Sequence, residues 1–167
     1  FNMEKFIGVW WSGGEDDVRP AGKAAKGYKS ANFHGTGTDF PAIQDIIKYV
    51  YNQGKSQVKD KSKIGENFYL RGVFNSILTA EAIRTAQKNF GKQLISGEEM
   101  RWGMENLNLT SERMAELGLA GFTNPISVSC EDHATNGPIY IQQWNGTSWE
   151  RVSGWISSMD RVRPMLE

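Results

Sequence analysis

An acidic run, Glu15-Asp16-Asp17, two histidines, His34 and His133, and a single cysteine, Cys130, are the side chains whose types suit catalysis or metal binding. Enzymatic chemistry needs a nucleophile beside a base, a positioned carboxylate pair or a metal set. Neither histidine stands in an HExxH arrangement, and no GxSxG elbow accompanies them. Glu131-Asp132-His133 puts several ligand types in sequence. Adjacent residues seldom converge on one ion, however, so His133 reads as a loop histidine bonded to backbone. The acidic run offers an acid/base pair or a cation site, and equally a solvated turn or a helix N-terminus. Cys130 has no internal disulfide partner and no CxxC or Cys/His cluster around it, so it is expected to be a small buried apolar residue. Gly35-x-Gly37 lacks the third glycine of a dinucleotide fingerprint, and the helix expected after it begins too late to cradle a phosphate. No cofactor and no metal are expected.

What remains distinctive is Trp10-Trp11-Ser12. It ends a short aromatic and β-branched run, residues 5–11 (KFIGVWW), that is closed by Ser12-Gly13-Gly14. Such a run predicts a buried strand leading into a loop. Open α/β sheets gather ligands in the crevice beyond their strand ends, where paired indoles suit a flat or apolar ligand. Consecutive strand residues face opposite ways, so at least one indole requires a second surface.

The elements that must position these residues follow from periodicity. Residues 20–25 are weakly helical, 27–33 extended and 34–38 a flexible loop. Asp39 is the expected N-cap of a helix with Pro41 in its first turn, running to about residue 52 with Ile43, Ile46, Ile47 and Val50 on one stripe and Gly54 as its stop. Residues 55–63 form a polar, mostly basic surface loop. The longest helical pattern is 67–90, with Phe68, Val73, Phe74, Ile77, Leu78, Ala82, Ile83 and Ala86 as its apolar face. Ser96 and Glu99 match the capping box of a helix to about residue 107. Thr110 or Ser111 caps a shorter helix that stops near Gly118. Beyond Gly121 the texture changes to short strands around Ile126, Val128, Ile139, Ile141 and Trp144. Asn145-Gly146, between Trp144 and Trp149, predicts a β-hairpin with indoles paired across its arms. Residues 157–167, with Pro164, read as an irregular tail.

The 167 residues, 39% hydrophobic and 23% charged, amount to one domain of ordinary globular composition. Collagen-like, coiled-coil and wholly disordered readings are thereby disfavoured. Nineteen basic side chains balance 19 acidic ones, which leaves no electrostatic footprint for nucleic acid or anionic lipid. No apolar run approaches the roughly 20 residues of a membrane span, and no charged-then-apolar signal segment opens the chain. Because a strand-like run follows so closely on Phe1, cleavage or truncation upstream is expected.

Taken together, KFIGVWWSG, the acidic turn, PAGKAAKGYKSANFH, FYLRGVFNSILTAEAIRTAQKNFGK and IYIQQWNGTSW resemble, in order and spacing, one family. It is the substrate-binding protein of ABC importers for branched-chain and other hydrophobic amino acids, an α/β protein with the two-lobe type I periplasmic-binding fold. The resemblance covers residues 6–155 and only the C-terminal half of such proteins. It implies that residues 1–32 belong to the second ligand-binding lobe, 33–138 to the first, and 139–167 to the second again with its terminal hairpin. With neither lobe whole, apolar sheet edges are expected to be exposed. The resemblance further implies a periplasmic or otherwise extracytoplasmic protein, secreted or lipid-anchored, that captures a small hydrophobic or aromatic acid, or a branched-chain amino acid, between the lobes and performs no covalent chemistry. Its implied partners are the membrane permease and the N-terminal half of the same protein. By position, Trp10, Trp11 and Ser12 would contact the ligand, with Phe68, Tyr69 and Arg71 at the start of the long helix. A guanidinium beside aromatic rings suits a carboxylate on an apolar body, and Arg71 equally suits a structural ion pair. A ligand-sensing regulatory domain of the same fold is the alternative, and a hydrolase using the acidic turn is a third reading.

Overall fold

The computed structural model describes residues 2–58, 60–134 and 137–157, together with Met165. Most of the tail expected over 157–167 lies outside the described residues.

Strands β1 (Ile7–Gly8), β2 (Lys29–Asn32), β5 (Tyr140–Trp144) and β6 (Trp149–Arg151) form one sheet in that order. β1 and β2 run parallel, and the other pairings are antiparallel. A separate two-stranded ribbon joins β3 (Asn108–Leu109) to β4 (Ile126–Ser127). The helices are α1 (Glu15–Val18), α2 (Pro41–Ile46), α3 (Asn67–Phe90), α4 (Gly97–Glu105) and α5 (Ser111–Glu116).

Local chemistry explains these boundaries. Ser96 Oγ accepts from the Glu99 N–H while the Glu99 carboxylate accepts from the Ser96 N–H, so the expected capping box starts α4. Ser96→Ala is expected to destabilise the protein by about 1 kcal/mol, seen as a melting temperature lowered by about 2–4 °C. Thr110 caps α5 through the Arg113 N–H. The hairpin forms as expected, with Trp144 opposite Trp149 and their rings 5.4 Å apart. Its loop is the four residues Asn145 to Ser148, closed by the Asn145 side chain accepting from the Thr147 and Ser148 N–H groups.

Four expectations need correction. The strand predicted over 5–11 stops at Gly8, because Ser12 turns back to donate its N–H and its hydroxyl to the Val9 carbonyl, winding Trp10–Ser12 into a 3-10 turn. Asp39 does not cap α2. That place is taken by Phe40, whose ring packs edge-on against buried Phe122, and the helix continues from Ile47 as a π-helical turn to Tyr51. Cys130 is exposed rather than buried, since the chain after β4 closes a polar surface turn between Ser129 and Asp132. On α3 the predicted stripe holds at Val73, Phe74, Ile77, Leu78, Ala82 and Ala86 but not at Phe68, which is exposed, while Asn67, Leu70 and Arg71, outside that stripe, are buried.

Two hydrophobic clusters result. Val18, Ala25, Tyr28 and Trp144, with Met3 and Trp149, form a small one beside the sheet. Ile43, Leu70, Phe74, Leu109, Met114 and Phe122 are among the residues of the larger, under the helices. A bidentate ion pair from Arg113 to the Glu81 carboxylate ties α5 to α3 at that cluster's edge. On the sheet, the strand register places Ile7, Ile141 and Val152 on the face opposite Tyr140, Gln142 and Trp144. Ile7 and Val152 remain exposed there.

Candidate functional site

Between the two clusters runs a seam of buried polar groups. Strand register sets Ser30, Asn32, Tyr140 and Gln142 on the sheet face turned toward the start of α3, and all four are buried. Asn67, the first residue of α3, donates its amide to the Gly13 carbonyl at 2.7 Å and accepts from the Asn32 amide. Gln142 donates to the same Gly13 carbonyl at 3.2 Å, and the Tyr140 hydroxyl donates to the His34 carbonyl at 2.7 Å. Buried polar groups persist only when so satisfied. The approach is close because Gly13 and Gly14 lack side chains. A Cβ on Gly13 would lie 2.5 Å from Ser30 Oγ, and one on Gly14 would lie 2.3 Å from the Phe68 ring.

The acidic run is absorbed into this scaffold. Glu15 accepts from the Asn67 N–H at 3.0 Å, capping α3 from another part of the chain, and burial raises its pKa. Asp17 accepts from the Gly14 N–H at 3.2 Å. Asp16 pairs with Arg19 and Lys63, and Glu66 pairs with the same two cations. Among the described residues no group of three histidine, cysteine or acidic side chains is placed to hold a metal ion.

Arg71 stands one helical turn beyond Asn67 and is 6% exposed. Its guanidinium carbon lies 4.9 Å from the Phe33 ring centre, 5.2 Å from that of Phe68 and 5.3 Å from that of Trp11. Its Nε–H donates to His34 Nε2 at 3.3 Å and its Nη1–H to the Trp10 carbonyl at 3.1 Å. His34 therefore carries its proton on Nδ1, which donates to the Gly35 carbonyl at 2.9 Å. The imidazole is fully buried and stacked 5.6 Å from Phe122, and burial lowers its pKa to about 4. Burial also lowers the pKa of Arg71. Among the described residues Arg71 makes no ion pair, so it is a buried cation held by rings, a neutral imidazole and a carbonyl. Its Nη2 group makes no hydrogen bond among those described, and the exposed Trp11 and Phe68 rings flank the guanidinium.

The residues singled out in the sequence are thus partly gathered. The Trp10 carbonyl, Trp11, Phe68 and Arg71 come together. The Ser12 hydroxyl is turned away, donating to the Val9 carbonyl and accepting from the Tyr28 hydroxyl at 2.8 Å. Tyr69 faces Tyr51, with ring centres 6.4 Å apart. Phe33 and His34 complete the cluster, and sequence reasoning had left them in or beside a loop. Trp10 and Phe33 also border an apolar groove of about 830 Å³, lined further by Phe74, Leu78, Met104 and Leu107.

No family model and no curated protein matches the chain. Solved structures do. A protein described as an ABC transporter permease from the Pseudomonas fluorescens group matches with a TM-score of 0.91 and 38% identity, over 98% of this chain and 40% of that one. A branched-chain amino-acid ABC transporter protein from Thermus thermophilus, solved with bound valine, matches with a TM-score of 0.69 and 21% identity, over 96% of this chain and 41% of that one. The chain spans about two fifths of the length of these proteins, and its mixed α/β domain matches that part of a periplasmic-binding-protein fold.

Proposed function

We propose that the chain is part of the solute-binding component of an ABC importer. It works outside the cytoplasm, capturing a small hydrophobic or aromatic acid, or a branched-chain amino acid, and delivering it to a membrane permease without covalent chemistry. The observation that carries the reading is Arg71, a buried guanidinium without a carboxylate partner among the described residues, rimmed by exposed Trp11 and Phe68. Such a group is desolvated in advance for a carboxylate, and the rings supply contact for an apolar body. The structural match to ABC transporter proteins supports the transport setting.

Residues 1–32 and 139–167 belong to one lobe and 33–138 to the other. The division is supported by the two hydrophobic clusters, each drawn wholly from one of these sets. The polar seam through Asn32, Asn67 and Gln142 is then the junction across which the lobes meet, and the Arg71 cluster lies in the cleft. No described helix is long and apolar enough to cross a membrane, as suits a component that hands its solute to a separate permease.

Tryptophan fluorescence and calorimetry of the full-length protein against branched-chain amino acids and aromatic acids test this reading. Saturable binding of one of these solutes is expected, weakened about 10-fold or more by Trp11→Ala. Unchanged affinity in both Trp10→Ala and Trp11→Ala would place the solute elsewhere.

A further inference from the structure

Resting on that reading of the site, we infer that the preferred solute is a carboxylate that carries no ammonium group. An α-amino acid presents both charges a few ångströms apart, and its ammonium needs an anion or several carbonyls to replace water. The charge inventory around Arg71 offers the reverse. Among the described residues none of the acids on the flanking segments pairs with the guanidinium. Glu15 is turned to the Asn67 N–H and Asp17 to the Gly14 N–H. Asp16 and Glu66 are neutralised by Arg19 and Lys63.

The groups that touch the guanidinium are equally unsuited to a second cation. The Trp10 carbonyl already accepts from Arg71, and His34 Nε2 is occupied by its Nε–H. The three nearby ring faces are turned toward the same positive charge. An ammonium entering here would meet like charge and, among these groups, only the second lone pair of the Trp10 carbonyl. A carboxylate alone meets the unpaired Nη2 and leaves its apolar body on Trp11 and Phe68.

Matched pairs that differ only at the α-carbon test this: 4-methylpentanoate against L-leucine, and 3-phenylpropanoate against L-phenylalanine, titrated calorimetrically into the full-length protein. The member without the amino group is expected to bind about 10- to 100-fold more tightly, and Arg71→Gln is expected to bring the pair to within about threefold of each other. Equal or tighter binding of the amino acid overturns the inference while leaving the solute-binding reading intact, as does a preference that survives Arg71→Gln. Failure of all four compounds to bind removes both.

Discussion

Replacing Arg71 with methionine is expected to weaken binding of the preferred carboxylate by about 30- to 150-fold, the loss of roughly 2–3 kcal/mol of charge-assisted hydrogen bonding. The same change is expected to alter folding stability by no more than about 1 kcal/mol. The two effects separate because, among the described residues, Arg71 is a cation desolvated without a counter-ion. Methionine gives up the contacts with Phe33, Phe68 and Trp11 and strips a donor from His34 Nε2 and from the Trp10 carbonyl. It also removes a buried charge, which offsets those losses. Arg71→Lys keeps the charge but not the planar fork, and is expected to bind about 10-fold or more weakly than the parent. Calorimetry paired with thermal melts checks both halves. A binding loss accompanied by a melting temperature lowered by 10 °C or more would mark Arg71 as a structural residue instead.

The second large effect is on stability against pH. His34 is held neutral in the folded protein, with its pKa lowered from the ordinary 6.5 to about 4 by burial. Above the unfolded value neither state is protonated and His34 imposes no penalty. As pH falls below 6.5 the unfolded chain takes up a proton that the folded protein refuses, so stability declines until pH reaches about 4 and then levels off. The difference amounts to about 3 kcal/mol. Urea denaturation at pH 7 and pH 4 of the parent and of His34→Gln isolates this from the titration of carboxylates common to both. His34→Gln is expected to be the less stable at pH 7, through lost stacking on Phe122, and to close most of that gap at pH 4. A gap independent of pH would contradict the buried neutral imidazole.

Much of the frame was legible in the sequence because it rests on local chemistry. The Ser96 capping box, the Thr110 cap, the extent of α3 and the indole-paired hairpin each depend on residues within a few positions of one another. The site was less legible because its residues are buried against the grain of their polarity. On α3 the apolar stripe that periodicity favoured left out Asn67 and Arg71, although they share a face with Leu70 and Phe74 at helical spacing. Two polar residues one turn apart on the inward face were the available signal, since such groups are buried only when distant partners satisfy them. Those partners, Gly13, Asn32, His34 and Gln142, come from segments far apart in the chain. Gln142 misleads in the same way, because alternation in β5 favours Ile141 as the inward residue when Tyr140, Gln142 and Trp144 are the buried set. The strand ending at Gly8 failed for another reason: the aromatic run has every local mark of a strand, and the Ser12 turn alone cuts it short.

The most direct test is a crystal structure of the full-length protein with the tightest-binding member of the carboxylate panel. The solute carboxylate is predicted to lie within hydrogen-bonding distance of Arg71 Nη2, with its apolar body against Trp11 and Phe68. A solute seated instead in the apolar groove beside Met104 and Leu107, with Arg71 untouched, would contradict the account.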